Sequence, residues 1–240
     1  MVLDYKNPIP LHVQLKNELE QKIREGHYKQ KIPSEREFME LYSVSRSTVR
    51  EAISQLVREG ILEKKHGKGT FISLKPIQDW LGTLSSTTDI IKRMGMTPGA
   101  KLISHGVVKP SENIQRLCEF DEAYFIKRIR FADDIPIAIE NQYYPLEIGM
   151  KLATYDINNG TLYDLLENEL HIQFSEAEQI ITSGHLSKED SEYLDVSDYF
   201  NVLMTERITY DMEGNIVEYY EAAFRSDMYS FKMKLSRKNN

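Results

Sequence analysis

One cysteine, Cys118, stands in 240 residues, which excludes an internal disulfide and any zinc site built on cysteine ligands. Long apolar runs are missing too: no stretch approaches the ~18 apolar residues a membrane helix needs. The opening Met1-Val2-Leu3-Asp4-Tyr5-Lys6 lacks the basic-then-apolar order of a secretory leader. These absences lead to the expectation of a cytoplasmic chain without a membrane partner. Positive charge is in deficit over the whole chain, with a formal net charge of −7, which taken alone argues against a polyanionic partner. Internal repeats and low-complexity tracts are absent. With 41% hydrophobic and 28% charged residues, neither half is disordered by composition. The length suits two domains of ordinary size.

The charge is unevenly placed. Residues 1–75 hold 14 Lys and Arg against 10 Asp and Glu, a balance of +4, whereas the remaining 165 hold 16 against 27, a balance of −11. A module tolerant of polyanions followed by one with a different task fits that asymmetry. A balance of +4 is also common on surfaces that bind nothing, so the residue pattern has to decide.

The first segment reads as three helices and a hairpin. Pro10 sits in the first turn of a helix where Leu15, Leu19 and Ile23 recur every four residues, and Gly26 ends it. Pro33-Ser34-Glu35-Arg36-Glu37 opens a second helix, with Ser34 and Glu37 spaced for a reciprocal capping box. Ser45 caps a third, whose Val49, Ile53, Leu56 and Val57 face inward and which stops at Gly60. Ile61–Lys65 and Thr70–Ser73 are strands around the turn His66-Gly67-Lys68-Gly69. The third helix carries Arg46, Ser47, Thr48 and Arg50 in its first turns, the part of a recognition helix that meets base edges in a major groove. Arginine donates two hydrogen bonds to guanine, hydroxyls suit phosphates, and the lysines of the turn neutralise phosphate charge. Any one of these residues is as easily a solvated surface side chain. Their order, capping and basic turn agree only as a winged helix-turn-helix.

Pro8-Ile9-Pro10-Leu11, Pro33–Glu37, Val44-Ser45-Arg46-Ser47-Thr48-Val49-Arg50-Glu51-Ala52 and Gly67-Lys68-Gly69-Thr70-Phe71 together resemble the GntR family of repressors. The resemblance covers nearly all of the first 75 residues. It implies that Arg36, Ser45, Arg46, Thr48, Arg50 and the tip Gly67, Lys68 and Gly69 contact DNA, and that a homodimer binds a palindromic operator.

The pattern changes near Lys75-Pro76, the expected boundary between domains 1–75 and 76–240. Downstream the sequence predicts a helix over Thr87–Arg93, a strand near Ala100–Val108, and a hairpin of Ala123–Phe131 with Pro136–Tyr144 through Asp133-Asp134. A helix from Thr161 to about Glu169 follows, then strands near Glu176–Ser183, Val202–Asp211 and Val217–Phe224, with a short helix near Lys188–Leu194. Hairpin-joined strands make the class α+β with a mainly antiparallel sheet. Ser85-Ser86-Thr87-Thr88-Asp89 is a hydroxyl-rich run before a helix, where free amides could hold an anion, although plain N-capping explains it as well. Arg128 and Arg130 share one strand face and could clamp an anion or pair with carboxylates; Phe125, Ile129 and Phe131 on the other face read as core. Glu140 joins the arginine face only if it lies directly opposite Arg128, since a one-residue slip reverses its side.

The runs Ile126–Asp133, Pro136–Glu140, Thr161–Leu166, Tyr210-Asp211, Val217-Glu218-Tyr219 and Phe224–Asp227 are similar to the ligand-binding UTRA domain of the HutC subfamily of GntR regulators. The resemblance implies a fold like that of chorismate lyase. It also implies that Ser86, Thr87, Arg128, Arg130 and Thr161 hold a phosphate while Glu140, Tyr163 and Glu218 face a sugar. The function expected is therefore a transcription regulator, a repressor, whose operator affinity is set by a small anionic metabolite, a sugar phosphate, with a carboxylate metabolite as the alternative. The competing class is an enzyme of lyase-like fold, but no nucleophile with its base, phosphate loop, metal cluster or cofactor motif is legible. His105, His171 and His185 lie in unrelated contexts.

Overall fold

Residues 3–5, 7–25, 27–28, 31–73 and 76–237 are described by the structure, a computed structural model. The chain divides into two units, Met1–Lys75 and Pro76–Asn240. In the first, α1 (Leu11–Arg24) follows Pro10 and buries Leu15 and Leu19; Gly26, the expected stop, lies outside the described residues. Helix α2 (Glu35–Tyr42) opens on a complete capping box: Ser34 accepts from the Glu37 amide at 3.3 Å while the Glu37 carboxylate accepts from the Ser34 amide at 2.7 Å. Helix α3 (Arg46–Arg58) starts at the Ser45 cap, sends Val49, Ala52, Ile53 and Leu56 into one core with Phe38, Leu15 and Leu19, and ends before Gly60, whose φ is +70°. Strands β1 (Leu62–Lys65) and β2 (Gly69–Ile72) form an antiparallel hairpin, the wing, and Lys31 bridges to Phe71 beside it.

The second unit is built on six antiparallel strands: β4 (Pro98–Val108), β5 (Ala123–Ala132), β6 (Ile135–Pro145), β7 (Phe174–His185), β8 (Asn201–Asp211) and β9 (Ile216–Arg225). Their spatial order is β4-β5-β6-β9-β8-β7. The β5–β6 turn rests on Asp133 and Asp134, both at positive φ (47° and 63°), the conformation a two-residue hairpin loop needs. Two short strands, β3 (Ile77–Trp80) and β10 (Tyr229–Lys232), pair in parallel. Helices α4 (Thr87–Arg93), α5 (Glu112–Cys118), α6 (Leu146–Leu152), α7 (Leu162–Asp164) and α8 (Lys188–Tyr193) complete it. The single helix expected over 161–169 is two pieces, because Leu165–Glu169 continues α7 as a π-helical stretch.

The sheet's two faces are covered unequally. On one, Ile126, Tyr144, Leu152, Leu162 and Leu166 form a closed core. On the other, Ile114 and Cys118 of α5 pack with Tyr219, and Leu194, just past α8, packs with Ile129 and Ile139. The expectation that Phe125, Ile129 and Phe131 form the core of β5 holds only for Ile129. Phe125 and Phe131 are half-buried, while the arginine face is sealed, with Arg128 2% and Arg130 4% exposed. Two guanidiniums in the better-sealed layer require partners there.

Candidate functional site

The candidate nucleic-acid surface is exposed and charged. Arg36, Arg46 and Arg50 expose 88%, 71% and 62% of their side chains. Ser45 caps α3 through its hydroxyl, which also lies 2.9 Å from the Thr48 hydroxyl. Gly67 (φ +71°) and Gly69 (φ +119°) turn the wing at conformations few side chains adopt, with Lys68 exposed between them. Glu35 on α2 was not foreseen. Arg46 Nε lies 3.3 Å from one of its oxygens, and Arg50 Nε (3.9 Å) and Lys64 Nζ (4.0 Å) approach the other. It gathers cations from α3 and the wing, a role set by how α2 and α3 cross. Exposed pairs of this kind contribute only about 0–1 kcal/mol, so the arginines exchange this carboxylate for another anion at little cost.

The second unit holds a different kind of site. Arg128 and Glu140 are direct cross-strand partners, the register that puts Glu140 on the arginine face. One Glu140 oxygen lies 3.5 Å from Arg128 Nη2 and 3.3 Å from Arg130 Nη1. The other accepts hydrogen bonds from the Thr87 hydroxyl at 2.6 Å and the Tyr220 phenol at 3.1 Å. Arg130 also donates to Thr88 Oγ1 (2.7 Å), and Arg128 to the Gly160 carbonyl (3.1 Å). A cavity of about 20 Å³ opens among these groups, walled by Ser86, Thr87, Arg128, Arg130, Glu140, Thr161 and Tyr163 together with Gln142, Arg207 and Tyr220. That is room for about one water.

Seven of the eight expected effector residues thus share one wall, and the eighth, Glu218, stands behind it. Glu218 is fully buried and accepts from Gln142 (3.0 Å), Tyr144 (2.8 Å) and Tyr163 (3.0 Å), with Arg207 Nη2 at 3.8 Å. Ser86 does what the simpler reading of its run proposed: it caps α4, accepting from the Asp89 amide and donating to the Asp89 carboxylate. Thr161 begins α7 without a side-chain capping bond. Sequence reasoning missed Gln142, Tyr144 and Arg207. Arg207 lies 4.5 Å from the Tyr220 ring centroid and 5.7 Å from that of Tyr163.

The electrostatics favour an anion. Three guanidiniums face two carboxylates. Burial alone would raise the Glu140 carboxyl, but Arg130 and Arg128 overcome it and hold the group below the usual carboxylate range. Burial lowers Arg128, with Glu140 working against it. Burial raises the Tyr220 and Tyr144 phenols well above their ordinary value, helped by Glu140 and Glu218 respectively, so both remain donors. Among the described residues, the Nε atoms of Arg128, Arg130 and Arg207 and the Gln142 Oε1 are sealed from solvent without a partner. Each such group costs about 1–3 kcal/mol, and folded proteins leave few of them.

Comparison with known proteins separates the units in the same order. Residues 11–72 match the model of the bacterial regulatory proteins of the gntR family, and 93–230 that of the UTRA domain. The HTH-type transcriptional repressor NagR of Bacillus subtilis is 33% identical over 99% of both chains. The mannosyl-D-glycerate transport/metabolism system repressor MngR of Escherichia coli is 25% identical over 96% of this chain and 98% of its own. The crystal structure of PhnF from Mycobacterium smegmatis superposes with a TM-score of 0.68 at 22% identity, covering 93% of this chain and 99% of that one. The chain belongs to the gntR family of bacterial regulatory proteins, as a DNA-binding transcription regulator of the HutC type with a UTRA domain and not as an enzyme.

Proposed function

We propose that the chain is a repressor that binds a palindromic operator as a homodimer, through α3 and the wing, and that a small anionic metabolite, a sugar phosphate, controls that binding from the Arg128–Arg130 cavity. The observation that carries this reading is the set of three buried arginine Nε atoms without partners around one cavity, with a single carboxylate between two of them. A phosphate offers several strong acceptor oxygens to guanidiniums that are now incompletely paired. Because the cavity holds about one water, the anion enters only as the arginines give up part of their grip on Glu140. Support for the sugar comes from two relatives described as repressors of a mannosyl-D-glycerate system and of a fructoselysine utilization operon. The acceptors Glu140 and Gln142 and the hydroxyls of Thr87, Thr161, Tyr163 and Tyr220 suit sugar hydroxyls.

A second reading, a carboxylate metabolite, draws on Glu140 itself, whose carboxylate already sits between the guanidiniums. Thermal shift of the full chain with a panel of sugar phosphates and of sugar acids separates the two, since a ligand that binds only the folded state raises its stability. Stabilisation by sugar phosphates and not by sugar acids is expected; the reverse result overturns the sugar-phosphate reading.

A further inference from the structure

The cavity at the arginines is not the largest void of its unit. A cleft of about 250 Å³ adjoins it, and Arg207 lines both. The chain segment Leu84-Ser85 in the cleft wall runs directly into Ser86 and Thr87 of the cavity wall. The cavity has room for about one water, whereas ligand sites run to about 300–1,000 Å³, so an effector larger than its anionic group has the cleft as its space.

The two compartments differ in chemistry. The cavity is dominated by guanidinium groups. The cleft is lined by the carboxylate residue Asp79, by Gln179 on the β7 face it shares with Arg207, and by Thr83 and Ser85, and among its lining residues Arg207 is the one cation. A carboxylate only accepts hydrogen bonds, so Asp79 favours a group rich in hydroxyl donors and repels one that is negatively charged. The Trp80 indole is seated there by a bare backbone: a Cβ on Gly82 would stand 2.3 Å from the indole Nε1. An indole beside polar groups is a surface on which the apolar face of a ring can lie while its hydroxyls reach Asp79 and Gln179. Arg207 stands where the compartments meet, and its Nε is sealed and unpartnered among the described residues.

We propose that the cleft is the second half of the effector site and that the effector is a two-part molecule. Its anionic head occupies the Arg128–Arg130 cavity, and its uncharged polyhydroxylated tail, of the size of a second sugar ring, passes Arg207 to lie against Asp79, Gln179 and Trp80. The inference rests on the anion-sensing reading above and deepens it. Arg207 is then a specificity-determining residue that spans head and tail.

Isothermal titration of the full chain tests this with inorganic phosphate, glucose 6-phosphate, trehalose 6-phosphate and cellobiose 6′-phosphate. At least one disaccharide phosphate is expected to bind about tenfold or more tightly than glucose 6-phosphate, the worth of one or two net hydrogen bonds. Ala177→Trp, which fills the cleft from β7, is expected to reduce that preference to about twofold or less. Gln179→Ala, at a half-buried position of β7 that lines the cleft, is expected to reduce it about threefold, as loss of one hydrogen-bonding side chain. The subsite is overturned if no disaccharide phosphate is preferred, or if the preference survives in folded Ala177→Trp or, should that variant not fold, in Gln179→Ala. If glucose 6-phosphate or inorganic phosphate binds without any such preference, only the subsite falls. If no phosphorylated probe binds, the sugar-phosphate reading falls and takes the subsite with it.

Discussion

Glu140 and Glu221 lie on neighbouring strands and opposite faces of the sheet, and their surroundings push their carboxyls in opposite directions. Glu140 is held below the usual range by Arg130 and Arg128 against the opposing effect of burial. A carboxyl lowered by folding stabilises the fold above its unfolded value, and that stability is lost as pH falls through the folded one. Acidification through and below the ordinary carboxylate range is therefore expected to loosen the arginine cavity. Glu140→Gln leaves two guanidiniums without a counter-charge, a defect worth about 3–5 kcal/mol in buried pairs. Its melting temperature at pH 7 should drop and should recover with added sulfate more than that of the wild type, because the anion replaces the carboxylate; equal sulfate responses would show that the cavity does not admit anions. Glu221 is raised, first by burial and then by Glu206, its direct cross-strand partner. Ionising a carboxyl whose folded value lies above its unfolded one costs the fold as pH rises, so the penalty is present at neutral pH. Glu221→Gln should raise the melting temperature at pH 7 and change it little at pH 4, as scanning calorimetry at the two pH values would reveal. Of these two, only Glu140 was legible in the sequence. The pairing of Glu206 with Glu221, like the position of Arg207 beside Tyr220, depends on the β8–β9 register, where a shift at Thr209/Tyr210 breaks simple counting.

Among the elements, α3 and the wing carry the DNA reading. If about 6–10 phosphates are neutralised, affinity falls roughly 10³–10⁵-fold between 50 and 200 mM salt. Arg46→Ala should lose about 1–3 kcal/mol more on operator than on random DNA if Arg46 reads a base. Fluorescence anisotropy on both DNAs decides, and an equal loss reduces Arg46 to a phosphate contact. These elements were legible because their signals are local: the Ser34–Glu37 box, the Ser45 cap and the glycines of the wing all act within four residues. The β5–β6 hairpin was legible for the same reason, but the register that sets Glu140 opposite Arg128 was not: counting back from the Asp133-Asp134 turn puts Ile139 there, and a shift between Arg130 and Phe131 moves the pairing by one residue. Elements that depend on distant partners were not. Strands β3 and β10 are about 150 residues apart and four residues long each, too short to show a period. Helix α6 carries Gly149 at its middle, which reads as a breaker, yet a Cβ there would stand 2.0 Å from the Tyr124 Cβ. Glycine is required because the helix lies directly on β5.

At the scale of the whole chain the two units have opposite charge balances, and their joint behaviour is a matter of linkage. If an effector weakens operator binding, operator weakens effector binding by the same factor, typically about 5–150-fold, or about 1–3 kcal/mol. That reciprocity requires that the effector favour one state of the chain over another, and the Arg128–Glu140–Arg130 cluster supplies the difference in this reading: closed around a carboxylate without effector, rearranged around an anion with it. Arg128→Ala removes one side of the clamp and leaves every residue of α3 and the wing in place. Operator affinity without effector is expected to stay within about twofold of wild type, a change of roughly 0.4 kcal/mol. The response to whichever sugar phosphate stabilises the wild type is expected to vanish, giving a repressor that is not released. The measurement is operator affinity by anisotropy for both proteins, with and without that sugar phosphate. Circular dichroism melting confirms that the variant is folded, because removing a buried guanidinium also disturbs its Gly160 and Ile157 carbonyl partners. A folded Arg128→Ala that still responds fully would mean that the arginines and Glu140 form a structural ion pair and that the effector is sensed elsewhere.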